Sequence, residues 1–168
     1  MSPKTILIVD DDPDVRLGLH VRLKANHYEV IFAVDGMAGI AEARKHTPDL
    51  IILDLGLPAG DGFSVLERLK ANDSLSLIPV IVVSARDRSA NMDRALKAGA
   101  KAFLQKPVDN AELLAVIRQA LGEPAAQPSM RAYIYRFGLG SRSSDSSNLQ
   151  IRKFFQLLRN LIAVLADI

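Results

Sequence analysis

The 168-residue chain contains no cysteine, which excludes disulfides, zinc–thiolate sites and thiol catalysis and leaves the redox compartment open. No stretch reaches the ~18 consecutive apolar residues of a membrane span. Even so, 49% of the residues are hydrophobic, ample for the core of one domain with room for an appendage. The first twelve residues are too few, and too acidic at their end, for a secretory signal, so a cytoplasmic location is expected. Histidine is scarce, and His20, His27 and His46 fall in or beside expected helices as surface or packing residues. Charge is unevenly spread: residues 1–124 carry 15 Lys+Arg against 17 Asp+Glu, a net of −2, and residues 125–168 carry 6 against 2, a net of +4. The two parts are expected to face different partners.

What the chain does contain is a series of short apolar runs, each ending in a residue that can do chemistry. Leu50 to Leu53 is an unbroken apolar run, the pattern of a parallel strand covered on both faces, and Asp54 ends it. Thr5 to Val9 runs into Asp10, Asp11 and Asp12, and Pro79 to Val83 runs into Ser84. Lys101 to Gln105 ends at Lys106-Pro107, and Tyr28 to Val34 is a further strand. Helices are expected between them: Pro13 to about Asn26, Gly36 to His46, Phe63 to Ala71, Ser89 to Ala98 with Gly99 as its C-cap, and a fifth from Asp109 to Gly122. Asp12 before Pro13 reads as an N-cap, which gives one of the three adjacent aspartates a structural task. Five strands alternating with five helices predict an α/β fold with a doubly wound parallel sheet.

Right-handed crossovers put every carboxyl end of such a sheet on one edge, where open α/β sheets carry their chemistry. Asp10, Asp11, Asp54, Ser84 and Lys106 therefore meet, although up to ninety-six positions separate them. Adjacent Asp10 and Asp11 repel unless a cation sits between them, and hard oxygen ligands suit Mg²⁺ or Ca²⁺. Asp54 is a candidate nucleophile, Ser84 a hydroxyl donor and Lys106 a neutralising ammonium. A phosphoryl group, with charge spread over three oxygens, needs that combination in its transition state.

The motifs Ile8-Val9-Asp10-Asp11, Leu53-Asp54-Leu55-Gly56-Leu57-Pro58 with Asp61-Gly62, Val83-Ser84-Ala85, Gly99-Ala100 and Lys106-Pro107 resemble the receiver domain of bacterial two-component response regulators, over about residues 4–122. The resemblance implies a flavodoxin-like sheet of order 2-1-3-4-5 and a phosphoryl acceptor at Asp54. It implies Mg²⁺ held by Asp10, Asp11, Asp54 and the Gly56 carbonyl, with Ser84 and Lys106 on the phosphoryl oxygens. It also implies an aromatic switch at Phe103 that turns inward when the Ser84 hydroxyl is recruited, and a cis peptide before Pro107. The expected donor is a sensor histidine kinase or a histidine phosphotransfer protein. Gly56 stands where many receivers have a larger side chain, and Arg86 stands two residues beyond Ser84; both positions bear on water access to a phosphoaspartate.

Two other function classes compete. Asp10-x-Asp12 superficially matches the acidic nucleophile motif of a Mg²⁺-dependent aspartyl phosphatase, but the chain has no insert to form a cap over a substrate. A pseudo-receiver would bind partners without phosphorylation, against which stand the intact Asp10, Asp11, Asp54, Ser84 and Lys106. The expected organisation is a receiver over 1–122, a linker over 123–130 and an extension over 131–168. The extension holds a short strand from Tyr133 to Phe137 and an amphipathic helix over 149–166, where Ile151, Phe155, Leu158, Ile162 and Leu165 share a face. That helix could dock on the receiver or on a second subunit, lie on a membrane surface, serve a DNA-binding output, or be a truncated or fused terminus. A homodimer through it, or through the face of the fourth helix, fifth strand and fifth helix, is an option; nucleic-acid and membrane partners are not expected.

Overall fold

A computed structural model describes residues 2–58 and 62–124 of the chain. The expected strand and helix beyond residue 130 lie outside the described residues, as do Ala59, Gly60 and Asp61. The elements alternate without exception: β1 (Thr5–Val9), α1 (Pro13–Lys24), β2 (Glu29–Ala33), α2 (Gly36–His46), β3 (Leu50–Leu53), α3 (Gly62–Lys70), β4 (Val80–Ser84), α4 (Arg88–Lys97), β5 (Ala102–Gln105) and α5 (Asn110–Leu121). The five strands form one parallel sheet in the order β2-β1-β3-β4-β5. No helix among the described residues is long and apolar enough to cross a membrane.

The unbroken apolar runs are explained by burial on both faces. One face packs Leu7, Val9, Ile51, Leu53, Val80 and Val82 against α2, α3 and α4. The other packs Ile6, Ile8, Leu50, Ile52, Ile81 and Val83 against Leu19 and Leu23 of α1 and Leu113 and Ile117 of α5. Each such side chain removed from water contributes about 1.5–3 kcal/mol, so several together fix the sheet register. Successive strands therefore end at fixed heights, and their carboxyl ends can hold groups that repel one another.

Helix ends follow the capping residues. Asp12 accepts from the N–H groups of Asp14 and Val15, with Pro13 at the first helical position. Asp35 caps α2 and Asp109 caps α5, accepting from Ala111 and Glu112. α1 stops at Lys24, two residues before its expected end, because His27 takes a left-handed conformation (φ 65°) and the Tyr28 N–H returns to the Leu23 carbonyl. α4 is capped by Asp87 and begins one residue earlier than expected. Its C-cap is Ala98, not Gly99; Gly99 follows with φ 102°, a backbone that suits glycine, and the Lys70 side chain lies across the space where a Cβ would project.

Gly62 has a stricter task. A Cβ there would lie 2.5 Å from both the Asp54 carbonyl oxygen and the Leu55 Cα, so only glycine lets α3 start this close to the end of β3. Gly18, in the middle of α1, has no heavy atom within 4 Å of its would-be Cβ. Gly62→Ala is therefore expected to lose about 1–3 kcal/mol to overpacking, while Gly18→Ala gains about 0.5–1 kcal/mol in helix propensity. Urea denaturation of the two variants checks the opposite signs; equal effects would contradict the packing at Gly62.

Candidate functional site

Asp10 follows β1 directly, Asp54 follows β3, Ser84 is the last residue of β4 and Lys106 follows β5. The ladders extend one step into the site: the Asp54 N–H donates to the Val9 carbonyl, the Asp10 N–H to the Ala33 carbonyl and the Lys106 N–H to the Ser84 carbonyl. Asp10 and Asp54 are 3% and 7% exposed and Ser84 is fully buried. The five predicted site residues are thus brought together, with Asp11 on the exposed side. The Lys106–Pro107 peptide is cis, as expected.

Lys106 joins the edge. Its ammonium donates to Asp10 Oδ2 at 2.7 Å and to Asp54 Oδ2 at 2.7 Å. Asp54 Oδ1 accepts from the Gly56 N–H at 2.8 Å, and Ser84 Oγ, which accepts from the Arg86 N–H at 3.4 Å, lies on the side of the Asp54 carboxylate and helps hold it ionised. Asp10 Oδ1 accepts from the Asp12 N–H at 2.9 Å. At an effective dielectric of about 20, two unit charges roughly 4 Å apart interact by about 4 kcal/mol. Two attractions to Lys106 then outweigh the single repulsion between Asp10 and Asp54.

The titration behaviour follows. Burial pushes the Asp54 carboxyl up, but the bonds from Lys106, Gly56 and Ser84 and the charge of Lys106 outweigh it, and the group lies below the usual carboxylate range. Burial likewise pulls the Lys106 ammonium down, and its bonds to Asp10 and Asp54 more than offset this, so it lies above the usual lysine value. Asp54 is held ionised, as a nucleophile must be.

Asp10, Asp11 and Asp54 each offer a carboxylate oxygen, and these oxygens all lie within 4.8 Å of one another. Three carboxylates and one ammonium leave the edge with two negative charges, the amount a divalent cation neutralises. Hard oxygen donors at this spacing fit Mg²⁺, and the group can hold a metal ion. Gly56 brings its backbone N–H to Asp54; a Cβ there would meet the Asp54 carboxylate at ordinary contact distance, 3.5 Å from Oδ1. Asp12 spends its carboxylate on the α1 cap, which removes the second aspartate of the Asp10-x-Asp12 motif from any phosphatase role.

Phe103 is buried in this structure. It is 3% exposed, in one cluster with Ala95 of α4 and with Met92 and Ala98 packed against that cluster. The side chains that α4 brings to this cluster are the buried Ala95 and the partly buried Met92. The ring is therefore inside in this state. The histidines keep clear of the edge: His20 stacks near Phe32, with ring centroids 5.4 Å apart, and His46 pairs with Glu42. Two contributors were not legible as site residues. Gly62 stands in the Asp61-Gly62 motif with no packing role to be read from it, and Arg16, whose Nη1 donates to the Asp10 carbonyl at 2.7 Å, gives no signal beyond being an arginine one turn into a helix.

Acidic strand ends bridged by a lysine on a 2-1-3-4-5 sheet define a class, and the comparisons agree with it. The family model of the response regulator receiver domain matches residues 6–118. Response regulator PleD of Caulobacter vibrioides is 41% identical over 118 residues, covering 70% of this chain and 26% of that protein. The transcriptional regulatory protein KdpE of Mycobacterium tuberculosis is 40% identical over 116 residues, covering 69% of this chain and 50% of that protein. The CheY-like receiver domain protein of Methanospirillum hungatei superposes with a TM-score of 0.67 at 31% identity, covering 72% of this chain and 95% of that one. The receiver domain of sensor histidine kinase PA1611 from Pseudomonas aeruginosa, solved with magnesium coordinated in its active-site cleft, superposes with a TM-score of 0.65 at 28% identity, covering 72% and 99%. The chain belongs to the response regulator receiver family and carries a signalling domain of two-component systems. It spans half or less of the length of these two curated relatives.

The ion-pair geometry sets a pH dependence for the metal-free protein. The lowered carboxyl of Asp54 contributes stability that is present above its unfolded value of 3.8 and is lost as pH falls through its lower folded value. The raised ammonium of Lys106 contributes stability that is full below 10.5 and is lost as pH rises through its higher folded value. Lys106→Met is expected to cost about 3 kcal/mol at neutral pH, because it leaves two buried carboxylates unpaired. That cost should shrink at both extremes. Urea denaturation across pH checks it, and a difference that stays constant from acid to alkali contradicts it.

Proposed function

We propose that this chain is a Mg²⁺-dependent phosphoryl acceptor on Asp54 and that the acyl phosphate formed there switches its binding to partners. The observation that carries the reading is the Lys106 ammonium, bonded at 2.7 Å to both Asp54 and Asp10, with the buried Ser84 at the end of the strand beside Asp54. One nucleophile is thereby surrounded by the groups that stabilise a transferring phosphoryl.

An ionised Asp54 oxygen attacks phosphorus, the bond from phosphorus to the donor atom breaks, and the leaving group departs with that electron pair. Mg²⁺, when bound by Asp10, Asp11, Asp54 and the Gly56 carbonyl, supplies charge neutralisation on the phosphoryl oxygens. Lys106 gives up its bond to Asp54 and pairs with a phosphoryl oxygen, and the Ser84 hydroxyl donates to another. Positioning and electrostatics do the work. Recruitment of the Ser84 hydroxyl alters the end of β4, while Phe103 on the neighbouring β5 shares a cluster with Ala95 of α4. That route leads from the new charge to the surface of α4, β5 and α5.

The donor is a sensor histidine kinase or a histidine phosphotransfer protein, and the protein works in the cytoplasm. It turns over no metabolite; its own phosphorylation and slow hydrolysis are the only reactions at this edge. A homodimer through α4, β5 and α5, or through the segment 149–166, is one form the switched binding takes. Residues 1–122 form the receiver, 123–130 the linker and 131–168 the extension.

With a small-molecule phosphodonor and Mg²⁺, one phosphoryl group per chain is expected. Asp54→Asn should take up none, and the wild type should take up none after metal removal with a chelator. Intact-mass measurement checks both. Full labelling of Asp54→Asn, or many turnovers of a chromogenic phosphate ester, would count against the reading.

A further inference from the structure

Asp10 is held at four points, and one of them is a side chain outside the residues assigned to the chemistry. Its N–H donates to the Ala33 carbonyl at 3.2 Å, its Oδ1 accepts from the Asp12 N–H at 2.9 Å, and its Oδ2 accepts from Lys106 at 2.7 Å. The fourth point is its carbonyl, which accepts from Arg16 Nη1 at 2.7 Å. The N–H and C=O of one strand residue point to the same side, so the Asp10 carbonyl faces β2. β2 ends at Ala33 and Asp35 already caps α2, so a sheet partner runs out at this carbonyl. Arg16, half-buried on the first turn of α1, reaches back and supplies the donor.

That carbonyl belongs to the peptide between Asp10 and Asp11. Fixing it fixes where the Asp11 backbone sends its side chain. Asp11 is exposed, and its carboxylate has no hydrogen-bond partner among the described residues. The peptide is then the main constraint on where its oxygen lies relative to those of Asp10 and Asp54. We propose that Arg16 is a positioning residue for the metal set, acting through the Asp10–Asp11 peptide and touching neither metal nor phosphoryl group. The inference rests on the metal-binding reading above and assigns that site a further residue.

The sign of the effect separates this role from two simpler ones. Arg16 is a cation beside a negatively charged edge, so if it acted by charge alone its removal would tighten Mg²⁺ binding. If it only stabilised the fold, removal would lower the melting temperature and leave the Mg²⁺ affinity of the folded protein unchanged. A positioning role predicts weaker binding despite the gain in negative charge. Outer-shell partners of metal ligands are typically worth about 10–100-fold in affinity, and a loss of about tenfold is expected here.

The test titrates the full chain with Mg²⁺ and follows the backbone amide resonances of Asp11, Asp12 and Gly56. Wild type, Arg16→Met and Arg16→Lys are compared, with metal-free melting curves for each. Arg16→Met should bind about tenfold more weakly. Arg16→Lys, which keeps the charge and one donor on a flexible stem, should fall between the two and covers the case in which Arg16→Met does not fold. Equal or tighter binding by the folded variants overturns the inference and leaves the metal reading intact. A wild type that shows no Mg²⁺-dependent shift overturns both.

Discussion

The ammonium of Lys106, placed between Asp10 and Asp54, is the contact on which the site depends. Each partner comes from the end of a different strand, and the ammonium offsets the burial of the Asp54 carboxylate. The sheet tolerates the arrangement because its register is fixed elsewhere, by Ile6 to Val9, Leu50 to Leu53 and Val80 to Val83, all nearly free of solvent. Apolar burial supplies the stability, and the carboxyl edge can be spent on function. One ammonium balances one of three carboxylates, and the two charges left over match a divalent cation.

The same contact links resting state to switching. Lys106 holds the Asp54 carboxylate and is well placed to hold a phosphoryl oxygen, so phosphorylation exchanges one anion for a larger one on the same cation. In the proposed switch Ser84 acts on the same phosphoryl group from the end of β4. Both strands lead to α4, which buries only Ala95 among its own residues and rests on Phe103. A helix attached by so little apolar surface is easily shifted, which fits an element that reports a change at the edge.

Strands and site were legible in the sequence for one reason: in a doubly wound parallel sheet, an apolar run and the residue after it carry both the fold and the position of the chemistry. Leu50 to Leu53 followed by Asp54 is enough to place that carboxylate at the edge, and Asp12, Asp35 and Asp109 are read from the capping rules. Less was legible where tertiary contact decides. The end of α1 depends on the backbone of His27, and the buried position of Phe103 depends on packing with Ala95 and Met92 of α4. Gly62 is set by the approach of α3 to the Asp54 backbone. Arg16 bonds a carbonyl six residues before it, and no pattern of residue types announces a side-chain bond to a backbone oxygen.

The central claim is that the acidic edge makes Asp54, and no other carboxylate, the phosphoryl acceptor. Treating the phosphorylated chain with borohydride and locating the reduced residue by peptide mass spectrometry tests it directly. The account predicts reduction at Asp54 alone; reduction at Asp10, Asp11 or Asp12, with Asp54 unmodified, would contradict it.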